Sequence, residues 1–437
     1  MIFSKYNLLF EYENKKLLYN SFSNSFIELE QELYNRLKNF QLNKDIKIEN
    51  QFSTDEIIKF KDISIIVEND NIALNQIKYD VLHKRFNPEY LVLTIIPTFD
   101  CNFNCIYCFE DKSNAMYMDE LTSYHLIEFI KSFKYTKHIS ITWFGGEPLL
   151  AVDTIKFISE EVISYIGKEN YSSNIITNGF NLNEKNFKEL INVHINQFQI
   201  TIDGTKETHN KRRPCINDND SFTIITQNVK KCYEYVINNN LKNIDFIIRV
   251  NLDKENIDEF IQIGHYLHSK IGAINIRPAF VNDISDSCKN TACIMNQAEQ
   301  TEFLLELFKK HGICVEDFYF PEYRYECGVR NMNNFVIGPN GDIYKCYEIA
   351  GNPEEVVGNI ITKNLDENKI IRYLVDADPL DDSKCTNCFL FPRCGGGCPH
   401  KRLENKYLSK KNDVCLRNKY AIKQYLSNTY EMFSQNS

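Results

Sequence analysis

No apolar run in this 437-residue chain is long enough to cross a bilayer; the longest, such as YLVLTIIP over 90–97, have the length of a buried strand. The opening MIFSKYNLLFEYENKK lacks the basic start and cleavable apolar segment of a secretory signal, so a cytoplasmic protein with no membrane partner is expected. No long basic run offsets a net charge of -9, from 50 basic and 59 acidic residues, which argues against a nucleic-acid partner. A reducing compartment leaves little place for disulfides, so clustered cysteines there point to metal or redox chemistry.

Cysteine is what the chain has in excess, with 15 in all. Three sit at 101–108 and seven lie between 327 and 415, while Cys215, Cys232, Cys288, Cys293 and Cys314 are scattered. With 43% hydrophobic and 13% aromatic residues the chain can bury a full core, and its length predicts two or three domains.

Residues 1–88 read as a small separate module. LLFEY and KLLYN flank the polar ENK as a hairpin, and SFIEL adds a third strand. ELEQELYNRLKNF, with Leu29, Leu33 and Leu37 at helical spacing, is followed by the helical stretches FSTDEIIKF and ALNQIKYDVLHKRF. Strands followed by three short helices predict a winged-helix-like module; a cap on the next domain is the plainer alternative. From 89 to 310 the strand candidates LVLTII, HISITWF, SNIITN, QFQITID, DFIIRV and INIRP alternate with amphipathic helical stretches. Six such alternations predict an α/β fold, a partial (β/α)6 barrel with right-handed crossovers and its active site at the C-terminal strand ends. Residues 311–437 are rich in Cys, Gly, Pro and loops, with one tail helix in LRNKYAIKQYLSNTYEMF, and need cross-links or metal in place of a large core.

Two motifs follow the first two of those strands. In CNFNCIYCFE, Cys101, Cys105 and Cys108 offer three thiolates on what the preceding PTFD and two asparagines make a loop. A four-thiolate zinc site lacks its fourth ligand locally, whereas a cubane on three thiolates keeps one iron open for a reactant. In Gly145-Gly146-Glu147-Pro148 the glycines permit close backbone approach and Glu147 suits a ligand's ammonium group.

CNFNCIYC and GGEP on six βα units resemble the radical S-adenosylmethionine (SAM) superfamily over most of 91–310. The resemblance implies an oxidoreductase whose open iron chelates the methionine portion of SAM. One electron then cleaves the sulfonium, and the 5′-deoxyadenosyl radical abstracts a substrate hydrogen. It places Tyr107 near the adenine and the Gly145–Pro148 segment at the methionine amino group. The Thr177-Asn178-Gly179 segment, Thr201, Asp203 and Arg249 would line the cofactor. No catalytic base is assigned.

The later cysteines form a second pattern. Thirteen residues separate Cys327 from Gly341, and four more precede Cys346; then come Cys385-x-x-Cys388, Cys394, Cys398 and, sixteen residues on, Cys415. This layout is similar to the SPASM domain, which implies two auxiliary 4Fe–4S clusters beside the SAM-binding one. Cys327, Cys346 and Cys398 would serve the first, and Cys385, Cys388, Cys394 and Cys415 the second. The first is one ligand short, either open to substrate or completed by Cys314. A pair of zinc ribbons, with His400 filling in, is the rival reading. Cys215 and Cys232 read as core thiols; Cys288 and Cys293 fall in a polar loop, as surface thiols or substrate contacts. His209 and the Lys211-Arg212-Arg213 run read as a solvated loop, with a grip on substrate as the alternative.

Enzymes with this pair of domains mostly modify peptides or proteins, and the N-terminal module resembles the precursor-recognition element of ribosomal-peptide maturases. That implies a leader peptide added as a strand to a sheet edge, tethering its core peptide near the barrel. The expected function is a peptide maturase that installs an intramolecular thioether or carbon–carbon cross-link, reduced by a donor such as a flavodoxin or ferredoxin. A formylglycine-forming sulfatase maturase is the alternative, weakened because Tyr347 and Glu348 follow Cys346 where that family has an aspartate. A peptide epimerase and a zinc-binding winged-helix regulator are the others.

Overall fold

The computed structural model describes residues 1–43, 45–110, 115–281, 294–313, 315 and 326–435. Cys288, Cys293 and Cys314 lie outside them. The chain forms two compact units: Met1–Phe86 with Gln297–Asn331 and Arg372–Ser437, and Asn87–Asn296 with Met332–Ile371.

In the first unit β1 (Ile2–Phe3) is followed by an antiparallel sheet of β2 (Asn7–Tyr12), β3 (Lys15–Asn20) and β4 (Ser25–Leu29). Leu9, Leu18 and Ile27 share a row across it. Both turns use a residue at positive φ, Glu13 and Asn24; asparagine tolerates this because its short side chain bonds locally. Then come α1 (Gln31–Leu42), α2 (Thr54–Asp62), β5 (Ile66–Val67), which pairs with β1, and α3 (Asp70–Arg85). The three expected strands and three expected helices are found in order, with the short β1 and β5 added and β5 standing between α2 and α3. Leu18, Leu37, Phe40, Phe52 and Phe60 bury one face of the sheet.

The second unit is built on six parallel strands, β6 (Tyr90–Ile95), β7 (His138–Trp143), β8 (Tyr171–Thr177), β9 (Ile195–Thr201), β10 (Asp245–Leu252) and β11 (Asn275–Phe280), hydrogen-bonded in sequence order. The helices α4 (Glu120–Ser132), α5 (Val152–Ile166), α6 (Glu184–Asn192), α7 (Lys206–Arg212), α8 (Ser221–Asn238) and α9 (Phe260–Lys270) connect them. Asp119, Asn183 and Asp220 cap α4, α6 and α8 by accepting backbone N–H bonds, as short polar side chains do at helix starts. With every strand parallel, all six C-terminal ends, and the loops they launch, lie along one edge.

The remainder differs from expectation. After α10 (Gln297–His311), the stretch expected to be loops with one tail helix holds, among the described residues, four further short helices and four short strands: β12 (Asn334–Ile337), β13 (Asp342–Tyr344), β14 (Gly358–Asn359) and β15 (Asn364–Leu365). β12 runs parallel to β6, with Val336 opposite Thr94, so the sheet extends to ten strands. Strands of two to four residues are too short to show a period. The helix α10 belongs to the first unit, where its Leu305 packs with Ala421 and Tyr425. The chain continues through α11 (Glu367–Val375), α12 (Ser383–Thr386), α13 (Phe391–Cys394), α14 (Pro399–Tyr407) and α15 (Ile422–Gln435). Leu426 of α15 covers Phe10, Leu17 and Tyr19. No helix among the described residues is long and apolar enough to cross a membrane.

Candidate active site

The cysteine loop leaves β6 without helical structure, as its sequence predicts. It is zipped to 212–216: the Asn104 N–H donates to Pro214 O at 2.8 Å, Ile106 to Arg212 O at 3.0 Å, and Ile216 back to Asn102 O at 2.9 Å. Backbone bonds to a distant segment thus fix the loop that carries the thiols. Cys101, Cys105 and Cys108 all line one cavity of about 220 Å³.

Gly145 and Gly146 let the end of β7 nest against the chain entering that loop. A Cβ on Gly146 would stand 2.2 Å from Asp100 O, and one on Gly145, at φ +124°, 2.6 Å from Thr98 O. Gly146 N–H donates to Thr98 O at 3.1 Å, and Glu147 N–H to Asp100 O at 2.8 Å. The close approach the glycines allow is thus to the protein's own backbone. Glu147 lines the cavity, fully buried, and its carboxylate accepts from Thr177 Oγ1 at 2.6 Å, Asn178 N at 2.8 Å and Leu149 N at 2.9 Å. Burial pushes its pKa up, against these three donors. It joins the loops after β7 and β8 while facing the cavity.

Tyr107 lines the same cavity as the thiols. Its hydroxyl donates to Asp203 and accepts from Arg213 Nη1 at 2.7 Å and Asn251 Nδ2 at 3.0 Å. Asp203 also accepts the Asn251 N–H at 3.2 Å, and Arg212 pairs with Asp253 at 2.7 Å. The solvated loop expected for 209–213 is therefore corrected: His209, Arg212 and Arg213 are buried. Arg212 and Arg213 go inside because Asp203, Asp253 and Tyr107 meet them there; buried charges require such partners. His209 accepts the Asp203 N–H through Nδ1 at 3.3 Å, and burial holds its pKa well below the usual histidine value, keeping it neutral beside Arg213.

Of the other expected residues, Asn178, Thr201 and Arg249 line the cavity with the thiols, whereas Pro148 and Asp203 stand behind it. Sequence reading missed Gln199, Arg213, Asn251 and Phe280, which reach it from strand ends or the segment zipped to the cysteine loop. It also missed an aromatic group at the same cavity, where Phe144 stacks on Phe109 and meets Tyr347 edge-on. Glu110 and Glu348 add carboxylates. The signal was available for Gln199 and Asn251, polar residues at strand ends.

The remaining cysteines are divided between the units. Cys346 follows β13 in the second unit, buried; Cys327, Cys385, Cys388, Cys394, Cys398 and Cys415 belong to the first. No three His, Cys, Asp or Glu side chains among the described residues stand close enough to hold a single metal ion. His400 faces Tyr373 and Glu404. Cys215 and Cys232 are buried, and burial pushes the Cys232 thiol up to about 12.

Residues 95–267 match the family model of the Radical SAM superfamily. The stretch is a radical SAM domain, and the protein is a radical SAM enzyme. A cysteine-type anaerobic sulfatase-maturating enzyme of Clostridium novyi (strain NT) is 26% identical over 351 residues, covering 70% of this chain and 87% of the relative. The radical SAM cyclopropyl synthase TigE of Paramaledivibacter caminithermalis is 24% identical over 458 residues, covering 93% and 91%. Among solved structures, anSMEcpe with bound AdoMet and Cp18Cys peptide superposes with a TM-score of 0.60 at 19% identity, covering 79% of this chain and 98% of that one. Streptococcus suis SuiB bound to precursor peptide SuiA gives 0.51 at 16%, covering 95% and 98%.

A radical SAM domain uses SAM and a 4Fe–4S cluster, and the donor set here fits both. Three thiols share the cavity with a buried carboxylate and with Arg213, whose Nε has no hydrogen-bond partner among the described residues. The arginine's charge would offset anionic thiolates and a ligand carboxylate.

Proposed function

We propose that the protein is a radical SAM peptide maturase that installs an intramolecular cross-link, thioether or carbon–carbon, in a ribosomally made precursor carrying a leader. The observation that carries this reading is reach along the chain. TigE, a cyclopropyl synthase by name and so a maker of carbon–carbon bonds, matches 93% of it, and SuiB, solved with a precursor peptide, matches 95%. The finer architecture belongs to the same proposal: a winged-helix-like recognition module over 1–88, a partial (β/α)6 barrel over 89–310 and a SPASM domain over 311–437 with two auxiliary clusters. When bound, SAM and its cluster supply the hydrogen-abstracting radical. Cys101, Cys105 and Cys108 would hold the cluster, Glu147 and Arg213 would receive the charged ends of the methionine portion, and Tyr107, locked by Asp203, Arg213 and Asn251, would set the adenine side.

The formylglycine-forming alternative is favoured by the higher TM-score of anSMEcpe. Against it, 79% of this chain suffices for nearly all of that structure, and Tyr347 and Glu348 occupy the place after Cys346. Anaerobic reconstitution is expected to give about twelve irons per chain. With SAM, a reductant and the peptide encoded beside the gene, each cross-link should lower the peptide mass by two hydrogens. An unchanged mass with deuterium uptake from solvent would identify an epimerase. Conversion of a sulfatase-type cysteine peptide to an aldehyde would establish the alternative.

A further inference from the structure

The second cysteine set has an environment of its own. Cys385 and Cys388 pack against Tyr6, Ile77, Leu380 and Phe391. The turn Gly395-Gly396-Gly397 has all three residues at positive φ, and a Cβ on Gly397 would stand 1.7 Å from Val414 O. Only glycine permits that approach, and it brings the segment bearing Cys415 onto the one bearing Cys394. Within this set the sulfurs receive N–H donors, although Cys385 Sγ itself also donates to Asp382 Oδ2 at 3.6 Å. Arg402 Nη2 donates to Cys385 Sγ at 2.7 Å, and Lys419 Nζ to Cys415 Sγ at 3.3 Å. The backbone N–H groups of Gly396 and Leu416 are directed at the Cys394 sulfur.

We infer that Arg402 and Lys419 are positioning residues that raise the reduction potential of an iron–sulfur cluster held by Cys385, Cys388, Cys394 and Cys415. The inference rests on the reading of these four thiols as cluster ligands, which the cationic donors at Cys385 and Cys415 support. A cluster gains negative charge on reduction, so cationic N–H···S bonds favour its reduced form, and more so in apolar surroundings. Such a cluster is suited to receive an electron from the reaction. Arg402 also donates to Gly396 O at 2.6 Å and Asp382 Oδ2 at 3.2 Å, so it braces the loop as well. Lys419 is exposed and separates the two roles.

The test is an anaerobic redox titration followed by electron paramagnetic resonance. It uses full-length protein carrying Cys101→Ala, Cys105→Ala and Cys108→Ala, in which only auxiliary clusters contribute. In that background Arg402→Met and Lys419→Met should each move one reduced-cluster signal to lower potential with iron content unchanged. At the parent midpoint the reduced-to-oxidised ratio should fall about tenfold for Arg402→Met, the worth of a hydrogen bond to a charged group, and less for the solvated Lys419→Met. Arg402→Lys should recover part of the shift. Midpoints unmoved in both variants would overturn the inference, as would iron loss in Arg402→Met with an unmoved midpoint in Lys419→Met. If Cys388→Ala and Cys415→Ala leave iron and signals intact, the cluster reading itself fails and the inference with it. If those substitutions abolish one signal while the cation variants do nothing, the inference alone fails.

Discussion

A methyl group on Gly146 would press on the Asp100 carbonyl at 2.2 Å, and backbone cannot yield there as a flexible side chain would. Gly146→Ala should cost about 1–3 kcal/mol by overpacking and displace the cysteine loop; iron analysis should show a loss of about four irons per chain. Tyr107→Phe tests the other side of the loop. It removes one hydroxyl shared by Asp203, Arg213 and Asn251, leaving buried polar groups unsatisfied at about 1–3 kcal/mol, to be read as a lowered denaturation midpoint with Arg213 displaced. At this scale the meeting of Cys101, Cys105 and Cys108 with Gly145, Gly146 and Glu147 at one cavity was legible, because each motif is a short spacing that follows a strand. Arg212 and Arg213 were not, since a basic run looks solvated until Asp203 and Asp253 arrive from the ends of two other strands.

Among the elements, α2 carries its own start signal. Ser53 accepts the Glu56 N–H and Glu56 returns a bond to the Ser53 N–H, while Arg36 pairs with Glu56 at 2.6 Å. Ser53→Ala should destabilise α2 by about 1 kcal/mol, seen as roughly fivefold faster amide exchange in that helix. The Arg36 bond, with Ser53, lowers the Glu56 pKa from 4.5 to about 2. A carboxyl depressed on folding contributes stability that is complete above 4.5 and lost as pH falls toward 2. Exchange protection of α2 should therefore decline over that window, and Glu56→Gln should remove the dependence. The six parallel strands and their helices were legible because each is long enough to show its period. The four strands from 334 to 365 were hidden, being shorter than any pattern they could display.

The first unit is gathered from three stretches of chain, and a buried charge cluster ties them. Arg85 at the end of α3 is fully buried and bonds Glu326 and Asp378, each at 2.5 Å, while Arg330 donates to the carbonyls of Tyr373, Asp376 and Ala377. Arg85→Met would strand two buried carboxylates and should cost about 3–5 kcal/mol, measured by chemical denaturation; removing a solvent-screened pair such as Lys15–Glu28 should leave the denaturation midpoint nearly unmoved. Nothing in the local sequence around Arg85 distinguishes it from the lysines beside it. Its role is set by partners 241 and 293 positions away, a distance no spacing rule spans.

The same discontinuity imposes an order on synthesis. The β2–β3–β4 sheet leaves the ribosome early, yet Leu426 of α15, which covers one of its faces, emerges only after the whole second unit has been made. Domains fold as they appear, so the six-stranded parallel sheet can form while the N-terminal sheet still waits with Phe10, Leu17 and Tyr19 uncovered. A chain halted before residue 422 therefore leaves that face of the sheet without the cover Leu426 gives it.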